Sequence, residues 1–309
     1  MLLCEVYPSE KWGIIAHSIT DLRSASTTFP SSLDFDPLQE TQLLYGELIK
    51  IKNQSGDWLK VEAVEQLEYS HSHFWEGYPG WVKKDAVLLI DKIVLPNSVV
   101  NKKTTYLYST PDLNSTLLPL SLGTKIKATK IIQQGFRKIE TIDKKTAWIK
   151  DLDIHSLKIK RSDAMKREII LQSASQLLND PYFWGGRSAH MPEQKTQVTA
   201  TDCSGLVNLA YRVAGLDIPR DSYEQYLKAK KIKKNKLKKG DLIFSASKEN
   251  KEKISHVSIF IDKETLIEAP KTGEFVRIIK FKEKFGISLD EMDENKAVGN
   301  RFIYFGTYF

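Results

Sequence analysis

Asp202-Cys203-Ser204-Gly205-Leu206-Val207, Gly240-Asp241-Leu242-Ile243-Phe244 and His256-Val257-Ser258-Ile259-Phe260-Ile261 follow one another in the C-terminal half of the sequence. Beyond Cys203 the apolar residues Leu206, Ala210, Val213 and Ala214 share one helical face, so a helix is expected to begin at Asp202-Cys203. The other two segments read as short apolar strands over 241–245 and 257–261. Cys203 would then sit in the first helical turn, where the helix dipole and unpaired N–H groups favour thiolate over thiol. A thiolate nucleophile needs a base within reach, and of the six histidines only His256 lies C-terminal to Cys203. His256 opens a strand against which the cysteine helix is expected to pack. A third group should accept the other ring N–H and so fix the tautomer. The chain turns at Asp262-Lys263-Glu264 and a further strand is expected over 265–269. With the tip near Asp262, Glu268 falls opposite His256 on the same face, because the strand period is two.

Upstream, 162–178 carries Met165, Ile169, Ile170, Ala174 and Leu177 at helical spacing, with Ser162 as a plausible N-cap. Asn179-Asp180-Pro181 should end that helix, since proline disfavours helix in the residue before it. Before Lys158 the pattern changes to short strands broken by turn residues: 48–52, 58–63, 80–82, 125–132 and 147–149. Two passages share one plan, an apolar strand, a polar turn, a second strand and a closing Gly80-Trp81-Val82 or Ala147-Trp148-Ile149. They divide near Asp91-Lys92 and form a weak internal repeat.

The three C-terminal segments, in order and spacing, resemble the NlpC-type papain-like cysteine peptidases. Tyr182-Phe183-Trp184-Gly185-Gly186 is similar to that family's Tyr-x-Trp-Gly-Gly segment, and Ile218-Pro219-Arg220-Asp221-Ser222 to its Pro-Arg-(Ser/Thr) segment. The two β passages resemble bacterial SH3-like domains of five or so strands. The expected architecture is therefore multidomain: SH3-like barrels over 1–91 and 92–157, then an α+β papain-like catalytic domain over 158–309. The second barrel is expected to be structural. The resemblance implies hydrolysis of the bond between γ-D-glutamate and the L-diamino acid of peptidoglycan stem peptides, with Cys203, His256 and Glu268 as catalytic residues. The Tyr182 hydroxyl, by the same resemblance, either adds a donor to the oxyanion or lines the cleft. One departure stands out: the family's third polar residue is usually His, with Asn or Gln also seen, whereas this sequence offers Glu268. A carboxylate there is expected to hold the imidazolium more strongly and so to alter the pH optimum.

Leu44-Tyr45-Gly46-Glu47 and Tyr78-Pro79-Gly80-Trp81-Val82 are similar to segments of the YkfC-like enzymes, in which an SH3-like barrel walls one end of the cleft. Carried onto this sequence, that resemblance implies that Glu47, Tyr78 and Asp202 bind the α-ammonium of an N-terminal L-Ala, and that Ser204 and Ser222 contact the γ-D-Glu portion. Two carboxylates in a closed pocket would select a free amine over an acylated one. The expected partners are free L-Ala-γ-D-Glu-diamino-acid peptides, without metal or cofactor.

The 309 residues suffice for two or three domains, and 41% hydrophobic content fits ordinary packed cores. No apolar run reaches the ~20 residues of a membrane span. The N-terminus lacks a basic and apolar leader pattern, so a cytoplasmic location is expected. Cys4 and Cys203 are the two cysteines and are expected to be free. Net charge is +7, and eight lysines crowd into 228–239. That run lacks interleaved arginine or aromatic residues, which favours a solvated loop over a nucleic-acid surface. His71-Ser72-His73, with no nearby cysteine, is a weak metal candidate. Rival readings are a secreted hydrolase of intact wall and a wall-binding protein with an inactive catalytic domain.

Overall fold

The computed structural model describes residues 11–29, 35–194, 197–294 and 296–309. The sequence segment containing Cys4 lies outside the described residues.

Seven strands form the first sheet: β1 (Lys11–Ile15), β2 (Ile19–Arg23), β3 (Gln39–Leu44), β4 (Leu48–Ser55), β5 (Trp58–Glu68), β6 (Glu76–Lys83) and β7 (Val87–Ile90). Seven more form the second: β8 (Ser98–Val100), β9 (Thr104–Tyr108), β10 (Thr116–Ser121), β11 (Lys125–Gln133), β12 (Phe136–Glu140), β13 (Thr146–Lys150) and β14 (Ile154–Ser156). The spatial order is β3-β2-β6-β5-β4-β1-β7 in one and β10-β9-β13-β12-β11-β8-β14 in the other. Adding seven to each strand number of the first order gives the second, so the weak repeat of the sequence is a full repeat of topology. Each sheet has its own apolar core. Leu22, Leu43, Ile49, Val61 and Val82 fill the first, and Val100, Leu107, Leu120, Ile139 and Ile149 the second. The sheets have seven strands rather than five because short pairings, β1 with β7 and β8 with β14, extend the same end of each sheet.

The remaining chain is α+β. Helices α1 (Asp163–Ser175), α2 (Cys203–Val213) and α3 (Ser222–Lys228) precede β15 (Lys230–Lys231), β16 (Leu242–Ser247), β17 (Ile254–Phe260), β18 (Thr265–Glu268), β19 (Arg277–Lys280), the short helix α4 (Phe281–Phe285) and β20 (Arg301–Thr307). The sheet runs β15-β20-β16-β17-β18-β19. Ser162 caps α1 by accepting from the Met165 N–H, and Asn179 adopts φ 67° where the chain leaves the helix. Every residue of α2 is buried, between α1, the strands of this sheet and the second barrel.

The second barrel grips the outer ends of α1 and α2. Gln176 accepts from the Lys103 N–H at 2.8 Å and donates to the Asn101 carbonyl at 2.9 Å, and Arg212 donates to the Gly123 carbonyl at 2.8 Å. The lysine run is not a free loop. Lys230 and Lys231 form the edge strand β15, Lys228 stacks 4.1 Å over the Trp75 ring, and Lys234 donates to the Asp290 carbonyl at 2.8 Å. Of the run's aromatic partners, Trp75 comes from a distant segment and Tyr226, 3.9 Å under Lys231, from just ahead of the run. Among the described residues no helix is long and apolar enough to cross a membrane.

Candidate active site

Asp202 precedes α2 in extended conformation, and its Oδ1 accepts from the Gly205 N–H at 2.7 Å. That cap sets the first turn and fixes Cys203 at the helix start. A Cβ at Gly205 would lie 2.3 Å from the Gly186 carbonyl oxygen, so glycine lets the helix seat against the Gly185-Gly186 segment. Gly185, at φ +74°, donates its N–H to Asp202 Oδ2 at 2.9 Å and packs on Gln39 and Glu40 of the first barrel. The barrel, the glycine pair and the start of α2 thus meet at one place.

Cys203 is a free, buried thiol. Burial and the neighbouring Asp202 charge push it up to about 12, while the Val257 and Ser204 backbone N–H groups and Arg220 act the other way. The expectation of a resting thiolate is therefore corrected: the helix start is present, but enclosure and an adjacent carboxylate outweigh it. The N–H of Val257 is that of the residue after His256, so the sulfur lies beside the β17 backbone at the histidine.

His256, also buried, makes a 2.8 Å hydrogen bond from Nε2 to Glu268 Oε2. Ile259 pairs with Ile267 across β17 and β18, so Glu268 lies opposite Ser258 and diagonal to His256 rather than directly across from it. Both side chains still share a face, and the diagonal is within the reach of these long groups. The bond assigns the ring proton to Nε2 and leaves Nδ1 as the acceptor. Ser245, directly opposite His256 on β16, holds a buried hydroxyl without a protein partner.

The sequence did not announce what surrounds Glu268. Lys284 of α4 pairs with Oε2, and Arg277 of β19 donates to Oε1 from Nη2 at 3.0 Å and Nε at 3.2 Å. Burial would raise the Glu268 carboxyl, but the His256 hydrogen bond and the Lys284 charge hold it at about 2. His256 is lowered, first by burial and then by Lys284 and Arg301, against the opposing pull of Glu268. The expected strengthening of the imidazolium by a carboxylate is thus outweighed, first by burial and then by cations that the sequence spacing does not reveal.

Glu47 does not join the other expected ligand groups. Its carboxylate is sealed in the interior, paired with Arg187 at 2.8 Å and Arg212 at 3.1 Å and bonded by Gln66 at 3.0 Å. A carboxylate already saturated by two buried guanidinium groups cannot take a ligand ammonium. Tyr78 instead meets Glu40 and Asp221: its hydroxyl donates to Asp221 Oδ2 at 2.9 Å and lies 3.4 Å from Glu40 Oε2. His71, the weak metal candidate, stands 3.9 Å from Glu40 and 2.9 Å from Glu68. Asp202 faces the same cluster through Arg220, whose Nη2 lies 2.8 Å from Asp202 Oδ2 and whose Nη1 lies 3.4 Å from Asp221 Oδ1. Ser204 Oγ is held by Arg220 Nη1 at 2.8 Å, while Ser222 begins α3 just after Asp221. Tyr182 is mostly buried beside Asp202 and Cys203, and burial and then the Asp202 charge raise its phenol. Neither Glu40 nor Asp221 carries a sequence signal for this role, because each becomes a site group only when the barrel packs on the Pro219-Arg220 turn.

The cluster is short of positive charge. Burial, with Asp202 and Glu224 nearby, raises Asp221 to about 6 despite Arg220, and burial raises Glu40 despite His71. Residues 189–199, of which 195 and 196 lie outside the described residues, are pinned where described. His190 Nδ1 lies 2.7 Å from the Thr199 carbonyl, and the Met191 N–H donates to Thr199 Oγ1 at 2.8 Å.

Residues 179–288 match the NlpC/P60 family model. The chain is 29% identical to a gamma-D-glutamyl-L-lysine dipeptidyl-peptidase of Bacillus cereus, covering 78% of this chain and 70% of that protein. It is 27% identical to the protein of the same name from Bacillus subtilis, over 80% of this chain and 78% of that one. Its fold matches the crystal structure of an NlpC/P60 family protein from Bacillus cereus with a TM-score of 0.74 at 25% identity, covering 87% of this chain and 94% of that chain. A buried cysteine at a helix start, a histidine held by a carboxylate on the adjoining sheet, and these matches agree: residues 179–288 form an NlpC/P60 cysteine peptidase domain, and two seven-stranded SH3-like sheets precede it.

Proposed function

We propose that this enzyme hydrolyses the γ-D-Glu–L-diamino acid bond of free peptidoglycan stem peptides that carry an unblocked N-terminal L-Ala, in the recycling of such peptides inside the cell. The observation that carries this reading is the undercharged pair of carboxylates, Glu40 and Asp221, around Tyr78, linked through Arg220 to Asp202 at the start of the cysteine helix. Partly buried carboxylates raised by desolvation favour a ligand that brings its own positive charge. An α-ammonium supplies that charge and three donors, whereas an acetylated terminus supplies neither. The names of the two Bacillus relatives fit the same bond class.

In this reading Cys203 Sγ attacks the γ-carbonyl carbon as its proton passes to His256. The proton is then delivered to the departing amine of the diamino acid, leaving an acyl-enzyme on Cys203. Water, deprotonated by His256, hydrolyses the thioester and restores the thiol. Because burial keeps the resting thiol protonated, His256 acts as a base at the moment of attack. Glu268 fixes the ring. The Cys203 N–H is a candidate oxyanion donor, and Tyr182, beside Cys203, would add a second donor or line the cleft. Ser204 and Ser222, by resemblance to the family, would contact the γ-D-Glu portion.

The test is paired turnover of L-Ala-γ-D-Glu-meso-diaminopimelate and its N-acetyl form, followed by mass spectrometry. The free peptide should be preferred by at least about 100-fold in kcat/KM, since the blocked terminus leaves buried carboxylates unpaired. Comparable rates on both, or on intact sacculi, would remove the amine pocket. Glu40→Gln should raise KM for the free peptide about 10-fold or more with a smaller change in kcat.

A pH dependence follows from Asp221. Its carboxyl is ionised in the empty site only above about 6, and the ammonium binds the ionised form. KM for the free peptide should therefore fall as pH rises through 6, and should rise again once the peptide amine itself loses its proton. In Asp221→Asn the fall near 6 should vanish.

A further inference from the structure

Glu268 faces three proton-bearing groups at once. Oε2 receives His256 Nε2 at 2.8 Å and the Lys284 ammonium, while Oε1 receives two N–H groups of Arg277. Lys284 Nζ is also 3.3 Å from His256 Nε2. Its side chain is only 10% exposed, and Glu268 is fully enclosed. Surface lysines keep their ammonium groups in water, so this one is held inward by the carboxylate. Arg277 is braced in turn by Glu274 at 2.6 Å.

A carboxylate paired with a histidine alone favours the imidazolium, and an imidazolium cannot accept the proton of a thiol. We propose that Lys284, backed by Arg277, is a positioning residue that offsets the Glu268 charge, so that the carboxylate orients the His256 ring while the ring stays unprotonated. The proposal rests on the reading of Cys203 and His256 as the reacting pair. It explains how a carboxylate serves where a neutral partner is usual: the clamp converts a charged orienting group into one that is close to neutral as His256 senses it.

The charged and titratable groups that face His256 come from every element packed around it. Glu268 on β18 stabilises the imidazolium. Lys284 on α4 and Arg301 on β20 oppose it, Arg277 on β19 pairs with Glu268, and the Cys203 thiol on α2 is raised by burial. Lys284 is the cation nearest the ring, so removing it should shift the balance most.

The experiment is a histidine titration by NMR on protein labelled at the imidazole carbons, with His256→Asn identifying the signal, alongside pH profiles of kcat/KM for the free peptide. In Lys284→Met the His256 midpoint and the acid limb of kcat/KM should both move up by about one pH unit. That gives roughly a 10-fold loss below the limb, with less than about a 3-fold change in kcat on the plateau. Lys284→Arg, which keeps the charge, should return both towards wild type. A midpoint and limb that stay in place in Lys284→Met, or a loss of equal size at every pH, would overturn the proposal. Undiminished activity of Cys203→Ala would instead overturn the assignment of the reacting pair, and the proposal with it, and is read separately from the titration.

Discussion

Cys203→Ala will lose peptide hydrolysis by about 10⁴-fold or more in kcat, and will lose almost nothing in stability. The scale is that seen when a nucleophile acting as a unit with its base is removed. Alanine suits the first turn of α2 and leaves the Asp202 cap untouched, because that cap runs through the Gly205 N–H. The side chain is small, so the deleted sulfur leaves a small cavity and the melting temperature should stay within a few degrees. Cys203→Ser places a hydroxyl at the same point and should fare little better, since burial and Asp202 disfavour an alkoxide even more than a thiolate. The measurement is release of L-Ala-γ-D-Glu against time, with a thermal melt on the same samples. Residual activity within 10-fold of wild type would remove Cys203 from the chemistry.

Arg220→Met should give the largest loss of stability among the site residues. Arg220 is fully enclosed and donates to Thr41 Oγ1 at 2.6 Å, Asp202 Oδ2 at 2.8 Å, Ser204 Oγ at 2.8 Å and the Gly186 carbonyl at 3.2 Å. It thereby joins the first barrel to the glycine pair, the helix cap and the Asp221 turn. Deleting one member of a buried ionic network costs about 3–5 kcal/mol, because the partners stay buried without their counter-charge. For a chain of this size that is a fall of about 10 °C in melting temperature. The loss should depend on pH in a definite direction. Without Arg220 the folded pKa of Asp221 rises further above its unfolded value, so the variant is least impaired at low pH and loses stability as pH rises through that value. Arg220→Lys should rescue little, since one ammonium cannot reproduce a planar fork that binds on several sides. Equal melting temperatures for wild type and Arg220→Met at pH 8 would contradict this account.

The cysteine helix, the histidine strand and the division into β and α+β parts were legible in the sequence because local rules govern them. A capping aspartate, helical spacing after Cys203 and a period of two around His256 do not depend on what packs against them. The repeat was legible only faintly, since two barrels can share a strand order while keeping few residues in common. Glu268 was placed correctly on the shared face, though one pleat away from the expected position, because hairpin register depends on the conformation of the turn at Asp262-Lys263-Glu264.

The sequence determined which residue types could react and in what order they stand along the chain. Tertiary structure decided their charge states and their partners. Glu47 and Glu40 lie seven residues apart on neighbouring parts of one barrel, yet packing sealed Glu47 against Arg187 and Arg212 and left Glu40 beside Tyr78. Lys284 and Arg277 are unremarkable lysine and arginine in a basic sequence until β19 and α4 fold them over Glu268. The reason is physical: covalent spacing fixes local conformation, whereas burial and through-space charge arise only when distant segments exclude water together.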